Sequence, residues 1–156
     1  MNKTVSRTLM TGLVALATVI GLSGTAFAGT VTWTHKSQTS YCLSVTSGLH
    51  TTQCYWSSGM GGNYTDGVTW NDIQQGDGAW LQSNINHPGN CLDGNYGQAY
   101  LNPCSSGNNW QHWWENSTTN GWMLVSAQTN YALDANNSGS VYTNPPQDGN
   151  VYQHWI

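Results

Sequence analysis

Trp110-Gln111-His112-Trp113 returns forty-two positions later as Tyr152-Gln153-His154-Trp155, one residue before the end of the sequence. A weaker echo stands earlier, at Trp70-Asn71-Asp72-Ile73. Each copy runs aromatic, amide, variable, large apolar. Read as an extended strand, the pattern sends Gln111 and Trp113 to one face and Trp110 and His112 to the other, because alternate strand side chains share a face. Recurrence at a period of about forty residues is the mark of a repeat architecture.

Outward from these motifs, three units align, spanning about 30–78, 79–120 and 121–156. Each opens with a tryptophan: Trp33, Trp80 and Trp122. A small residue and a leucine follow: Cys42-Leu43-Ser44, Cys91-Leu92-Asp93 and Ala132-Leu133-Asp134. After a Gly/Asn/Ser turn come second strands at Leu49 to Cys54, Ala99 to Cys104 and Val141 to Pro146. No stretch shows helical periodicity, and turn residues punctuate short apolar or alternating segments, which predicts an all-β fold. One such unit cannot bury its own apolar face. Three sharing a core close a barrel and leave no free sheet edge. Leu43, Leu92 and Leu133 are expected to meet there, joined by Trp113, Trp155 and Ile73, with Gln111 and Gln153 hydrogen-bonded to backbone. The first unit carries an insertion, Tyr55 to Gly67, rich in Gly and Ser and expected to be an exposed loop.

The first residues read differently. Lys3 and Arg7 precede an apolar run from Leu9 to Leu22, and Ala26-Phe27-Ala28 fits a small-x-small cleavage site. This predicts a secretory signal peptide over 1–28, one mature domain over 29–156, and a secreted, extracellular product. The run is too short and too rich in Gly and Thr for a membrane anchor, so no membrane insertion is expected. Export makes disulfides the natural reading of Cys42, Cys54, Cys91 and Cys104. Their spacings of twelve and thirteen are nearly equal, and the repeat logic selects Cys42–Cys54 and Cys91–Cys104 over the crossed pairings. The third unit has Ala132 and Pro146 instead and must be held by packing. A four-cysteine zinc site lacks any C-x-x-C pair, so no metal is expected.

Cleavage removes Lys3 and Arg7 and leaves Lys36 against seven acids. Such a chain cannot neutralise a row of phosphates, which excludes nucleic acid as a partner. Its surface must be built of amides, hydroxyls, glycine and aromatic rings. That chemistry suits a neutral, polyhydroxylated ligand: ring faces meet the C–H faces of a sugar, while amides and carboxylates meet its hydroxyls.

Cys91-Leu92-Asp93, Cys104, Gln111-x-Trp113, Leu133-Asp134 and Gln153-x-Trp155 resemble the ricin B-type lectin family, over the whole predicted mature chain. The resemblance implies a β-trefoil of three imperfect repeats, here with two intra-repeat disulfides, and carbohydrate (glycan or polysaccharide) as the partner. It implies no cofactor and no calcium. In that family each pocket uses the aspartate after Cys-Leu, an amide four residues before the second cysteine, an aromatic ring two before it, and an asparagine just ahead of the Gln-x-Trp glutamine. The aspartate falls on Asp93 and Asp134, and on Ser44 in the first repeat, whose pocket is expected to be dead. The amide position falls on Tyr100 and Tyr142, the aromatic position on Asn102 and Asn144, and the asparagine position on Trp110 and Tyr152. Both repeats thus depart from the family in the same way. Tyr100 and Asn102 lie two apart on one strand, so exchanging ring and amide keeps both in the pocket and moves the stacking surface. The candidate sugar-contacting set is Asp93, Tyr100, Asn102, Trp110 and Gln111 in one repeat, and Asp134, Tyr142, Asn144, Tyr152 and Gln153 in the other.

Catalysis is not expected. A glycosidase needs two carboxylates flanking one bond at about 5 to 10 Å, and Asp93 and Asp134 belong to different repeats. His35, His50, His87, His112 and His154 have no nucleophile context, and His112 and His154 are expected at exposed strand positions. The rival class is a trefoil interaction module without sugar binding: an adaptor or targeting subunit of an extracellular complex, or a protease inhibitor.

Overall fold

A computed structural model describes residues 28–46, 48–54 and 67–156. The predicted signal peptide, up to Phe27, and most of the Tyr55–Gly67 insertion lie outside these residues. Ala28, the last residue of the predicted leader, opens the first strand, and Gly67, the last of the insertion, is buried.

The described chain is all-β, with two short 3-10 turns. Strands β1 (Ala28–Val31), β4 (Trp70–Gln74), β5 (Trp80–Asn84), β8 (Trp113–Thr118) and β9 (Gly121–Ser126) pair antiparallel in that order. The last residues close the ring. Trp155 exchanges backbone hydrogen bonds with Trp122 on one side, while Ile156 exchanges them with Thr34 on the other. Three hairpins cap the barrel: β2 (Tyr41–Ser44) with β3 (His50–Gln53), β6 (Asn90–Asn95) with β7 (Gln98–Pro103), and β10 (Ala132–Ala135) with β11 (Val141–Asn144). This is the β-trefoil of three imperfect repeats. Both disulfides form as the spacings required, Cys42–Cys54 and Cys91–Cys104, with Cα–Cα separations of 5.0 and 4.9 Å.

Leu43, Leu92 and Leu133 meet in the core. Three tryptophans lock them in place. Trp70, Trp113 and Trp155 donate their indole N–H to the carbonyls of Leu43, Leu92 and Leu133, at 3.1, 3.0 and 3.3 Å. All three rings are fully buried. This threefold bond corrects the register of the first repeat. Its closing segment is Val68-Thr69-Trp70, with Trp70 in the place of Trp113 and Trp155. The Trp70-Asn71-Asp72-Ile73 echo starts three residues too late, and Ile73 is only half-buried, outside the core. The opening tryptophans are also offset. Thr34 pairs with Cys42 as Ser83 pairs with Cys91 and Val125 with Ala132. Trp33 therefore occupies the place of Gln82 and Leu124, two positions further into the repeat than Trp80 and Trp122.

The close of the second and third repeats is not a strand either. Asn109–Gln111 and Val151–Gln153 are 3-10 turns, and extended backbone resumes after them. In so tight a turn successive residues swing by about 120° rather than alternate. His112 and His154, expected on an exposed strand face, are accordingly buried. The His112 Nδ1 lies 2.7 Å from Asp77 Oδ2 and its Nε2 3.1 Å from the Ser106 carbonyl. Burial pushes the Asp77 carboxyl up, but the hydrogen bonds from His112 and the Ala79 amide outweigh it and hold the group below its usual range.

Candidate functional site

The second and third repeats build the same constellation. Asp93 on β6 lies directly opposite Tyr100 on β7, and Asp134 on β10 directly opposite Tyr142 on β11. Directly opposed residues in an antiparallel pair share a face, and Asn102 and Asn144 stand two residues further along it. Leu92 and Leu133, one residue earlier on β6 and β10, face the core. The strand alternation thus turns the carboxylate, the phenol and one amide away from the core together.

Each carboxylate is fixed through one oxygen. Asp93 Oδ2 accepts from the side-chain amides of Asn102, Asn108 and Gln111 at 3.1, 3.3 and 3.2 Å. Asp134 Oδ2 accepts from Asn144, Asn150 and Gln153 at 3.2, 3.4 and 3.1 Å. The glutamines are themselves pinned. Gln111 also donates to the Pro103 carbonyl and accepts from the Ser105 amide, and Gln153 does the same with Pro145 and Gln147. Both carboxylates are only 1 % exposed, and Oδ1 of each is buried without a hydrogen-bond partner. A buried carboxylate oxygen lacking a donor is an unmet acceptor. Burial first, then the neighbouring carboxylate charge and the hydrogen bond of each phenol to that carboxylate, push the Tyr100 and Tyr142 phenols up, so both keep their protons.

Asn108 and Asn150 were not among the sequence candidates. Each caps its 3-10 turn by accepting from the backbone N–H two residues on, Trp110 and Tyr152, while its amide reaches the aspartate. They supply the asparagine that the resemblance placed at Trp110 and Tyr152. The signal was present: an asparagine stands three residues before the glutamine in both repeats. Tyr152 forms a rim instead, and Trp110 stands edge-on to Tyr96. Tyr152 lines a cleft of about 410 Å³ together with Asp134, Tyr142, Asn144, Asn150 and the Asn136–Ser138 turn. Behind it sits His35, fully buried, its Nε2 3.2 Å from the Tyr152 carbonyl and its ring 5.3 Å from that of Trp155. Burial lowers the His35 pKa, only partly offset by that carbonyl and by the charge of Asp134.

The first repeat lacks the constellation. Ser44 lies opposite His50 where the others have Asp and Tyr, Thr52 stands in the place of Asn102, and Val68 in the place of the glutamine. Ser44 Oγ lies 3.4 Å from Thr46 Oγ1, so the position holds no carboxylate for a ligand. Among the described residues no three His, Cys, Asp or Glu side chains gather as a metal ion would require. No helix among them is long and apolar enough to cross a membrane.

No protein-family model and no curated protein matches the sequence. Solved structures do match. A mosquitocidal holotoxin superposes with a TM-score of 0.68 at 13 % identity, covering 83 % of this chain and 16 % of that one. Cry35Ab1 gives 0.66 at 13 % identity, covering 81 % and 34 %. ThreeFoil, a designed threefold-symmetric protein, gives 0.64 at 22 % identity, covering 81 % and 95 %. The chain therefore spans only a small part of either of the first two, and nearly all of the third. These likenesses establish the fold, and the chain is a β-trefoil.

Proposed function

We propose that the protein is a non-catalytic, secreted lectin of the ricin B type that binds neutral carbohydrate through the second and third repeats. One observation carries this reading. The second and third repeats hold a buried carboxylate in the same way, with three amides on Oδ2 and none on Oδ1. A fold needs no such arrangement, since the first repeat does without it. A sugar hydroxyl that displaces the side chains covering Oδ1 and donates to it satisfies the unmet acceptor. The phenols of Tyr100 and Tyr142 and the amides of Asn102 and Asn144 offer ring edges and donors to the rest of the sugar. The cleft at Asp134 sits in the lower part of the range for small-molecule pockets, roughly 300–1,000 Å³. The disulfides fit an oxidising compartment.

The test is retention of residues 29–156 on a panel of glycans and polysaccharides, alongside Asp93→Ala, Asp134→Ala and the double variant. Binding weakened in each single variant and lost in the double supports two independent pockets. Binding unchanged in all three removes the site assignment. A second reading, a targeting module within a larger extracellular assembly, draws on the mosquitocidal holotoxin and Cry35Ab1 structures, in which the matched region is a minor part of the chain. A stable complex with a co-secreted protein, indifferent to free sugar, would favour it.

A further inference from the structure

The two sites share a floor but not a rim. In the third repeat the hairpin turn is polar and braced. Asn136 Oδ1 accepts from the Ser138 and Ser140 amides at 3.0 and 3.1 Å. Asn137 donates to the Tyr152 hydroxyl at 3.1 Å, which makes one wall at the edge of the cleft. The first repeat buttresses that wall, since Gln38 donates to the Asn137 carbonyl at 3.4 Å. The second-repeat turn is one residue shorter, Asn95-Tyr96-Gly97-Gln98, and has Tyr96 where the third has Asn137. The Tyr96 ring stands edge-on to Trp110, 6.2 Å away, and edge-on to Tyr131, 5.2 Å away. Trp110 is the counterpart of Tyr152, so an amide–hydroxyl hydrogen bond in one repeat is replaced by a contact between two rings in the other.

Turn chemistry does not account for Tyr96. The turn is made by Gly97, at φ 93°, and its first central position needs only a negative φ, which proline or any small polar residue supplies. Nor does packing account for it, because Tyr96 is 64 % exposed, the most exposed large hydrophobic residue among those described. A ring held at a fixed angle by two other rings, yet left mostly in water, is a stacking surface. It lies on the hairpin that carries Asp93 and extends that site outward, where the third repeat has a wall.

We propose that the two sites take different forms of carbohydrate. The second-repeat site binds an extended chain of several sugar units, with one unit over Asp93 and others stacked along Tyr96, Trp110 and Tyr131. The third-repeat cleft, bounded on one side by the Asn137–Tyr152 hydrogen bond, binds a single sugar unit. This rests on the lectin reading above and adds to it a division of ligand class.

The probes are gluco-, xylo-, galacto- and chito-oligosaccharides from monosaccharide to hexasaccharide, with binding measured by titration calorimetry. Two single-site proteins are compared: Asp134→Ala, which keeps the second-repeat site, and Asp93→Ala, which keeps the third. Asp→Asn versions stand in if either alanine variant does not fold. With the second-repeat site alone, affinity for a bound series rises with chain length, each added stacking contact contributing up to roughly tenfold. With the third-repeat site alone it stays flat. Tyr96→Ala in the Asp134→Ala background abolishes the length dependence, and Tyr96→Phe preserves it. Equal length dependence at the two sites, or length dependence that survives Tyr96→Ala, overturns the division of ligands and leaves the lectin reading standing. Failure of the unaltered protein to bind any probe overturns both.

Discussion

Replacing Asn150 by aspartate tests the floor of the third-repeat site without changing its shape. Aspartate caps a helical turn as well as asparagine does, so the bond from the Tyr152 amide survives. What changes is the second oxygen, which now stands where the Asn150 amide lay, 3.4 Å from Asp134 Oδ2. Two unit charges at that distance repel by about 5 kcal/mol at an effective dielectric of about 20, which is a ceiling. The pair escapes part of this by holding a proton, as closely spaced carboxylates do. The lost charge-assisted hydrogen bond adds about 1.5–3 kcal/mol. A net loss of about 3–4 kcal/mol at pH 7 is expected. The pH dependence has a definite sign. The introduced carboxyl has a raised pKa in the folded protein, so the folded state holds a proton that the unfolded chain has released. The deficit relative to the parent is therefore full at neutral pH and shrinks as pH falls towards the unfolded value of about 3.9. Asn150→Ser keeps the cap and adds no charge, so its smaller deficit should not vary with pH in this way. Urea unfolding of parent and both variants at pH 7 and pH 4.5 reads the difference. A deficit in Asn150→Asp that is absent, or equal at both pH values, refutes the placement of Asn150 against a charged Asp134.

Further outcomes follow from other contacts. Trp155→Phe removes the indole donor from the buried Leu133 carbonyl and should lower stability by about 1–3 kcal/mol, more than a Trp→Phe change at half-exposed Trp114, in urea unfolding. His35 has a lowered folded-state pKa, so the unfolded chain gains its proton first and stability should decline as pH falls below about 6.5. The thermal midpoint of His35→Gln should vary less between pH 7.5 and pH 5 than that of the parent. Removing Cys91–Cys104, which spans 13 residues, by a double alanine substitution should cost about 3 kcal/mol, read as a lower unfolding midpoint that added reductant lowers less than in the parent. Gly121→Ala should abolish or severely impair folding, since the new methyl would lie 2.5 Å from the Trp155 carbonyl oxygen at φ 127°, where the barrel closes; near-parental stability would contradict that closure.

The sequence carried the repeat, the disulfides and the carboxylate pair, because each left two or more copies to compare. Asp93 and Asp134 follow Leu in equivalent places, and the cysteine spacings agree within one residue. The first repeat misled because it has diverged at the landmarks: Val68 replaces the glutamine that flags Trp113 and Trp155. With that flag gone, Trp70 reads as the start of a motif rather than its end. The 3-10 turns were illegible for a different reason. Three residues of aromatic-amide-His fit a strand or a tight turn equally well by pattern, and only Asn108 and Asn150 as caps distinguish them. The buried histidines follow from that turn. Exposed Tyr96 carried no repeat signal at all, since its counterpart is an asparagine; its meaning comes from the rings around it.

The central claim is that sugars engage the carboxylate floors. The six side-chain amides on those floors, of Asn102, Asn108, Gln111, Asn144, Asn150 and Gln153, report on this directly. Their NH2 resonances can be followed by nitrogen–proton correlation NMR of residues 29–156 during titration with a sugar retained in the glycan panel. The account predicts saturable shifts in both sets of three, with the unrelated Asn84 amide, bonded to the Gly67 carbonyl, unmoved. Saturation of the protein with a bound sugar while all six stay fixed would contradict it.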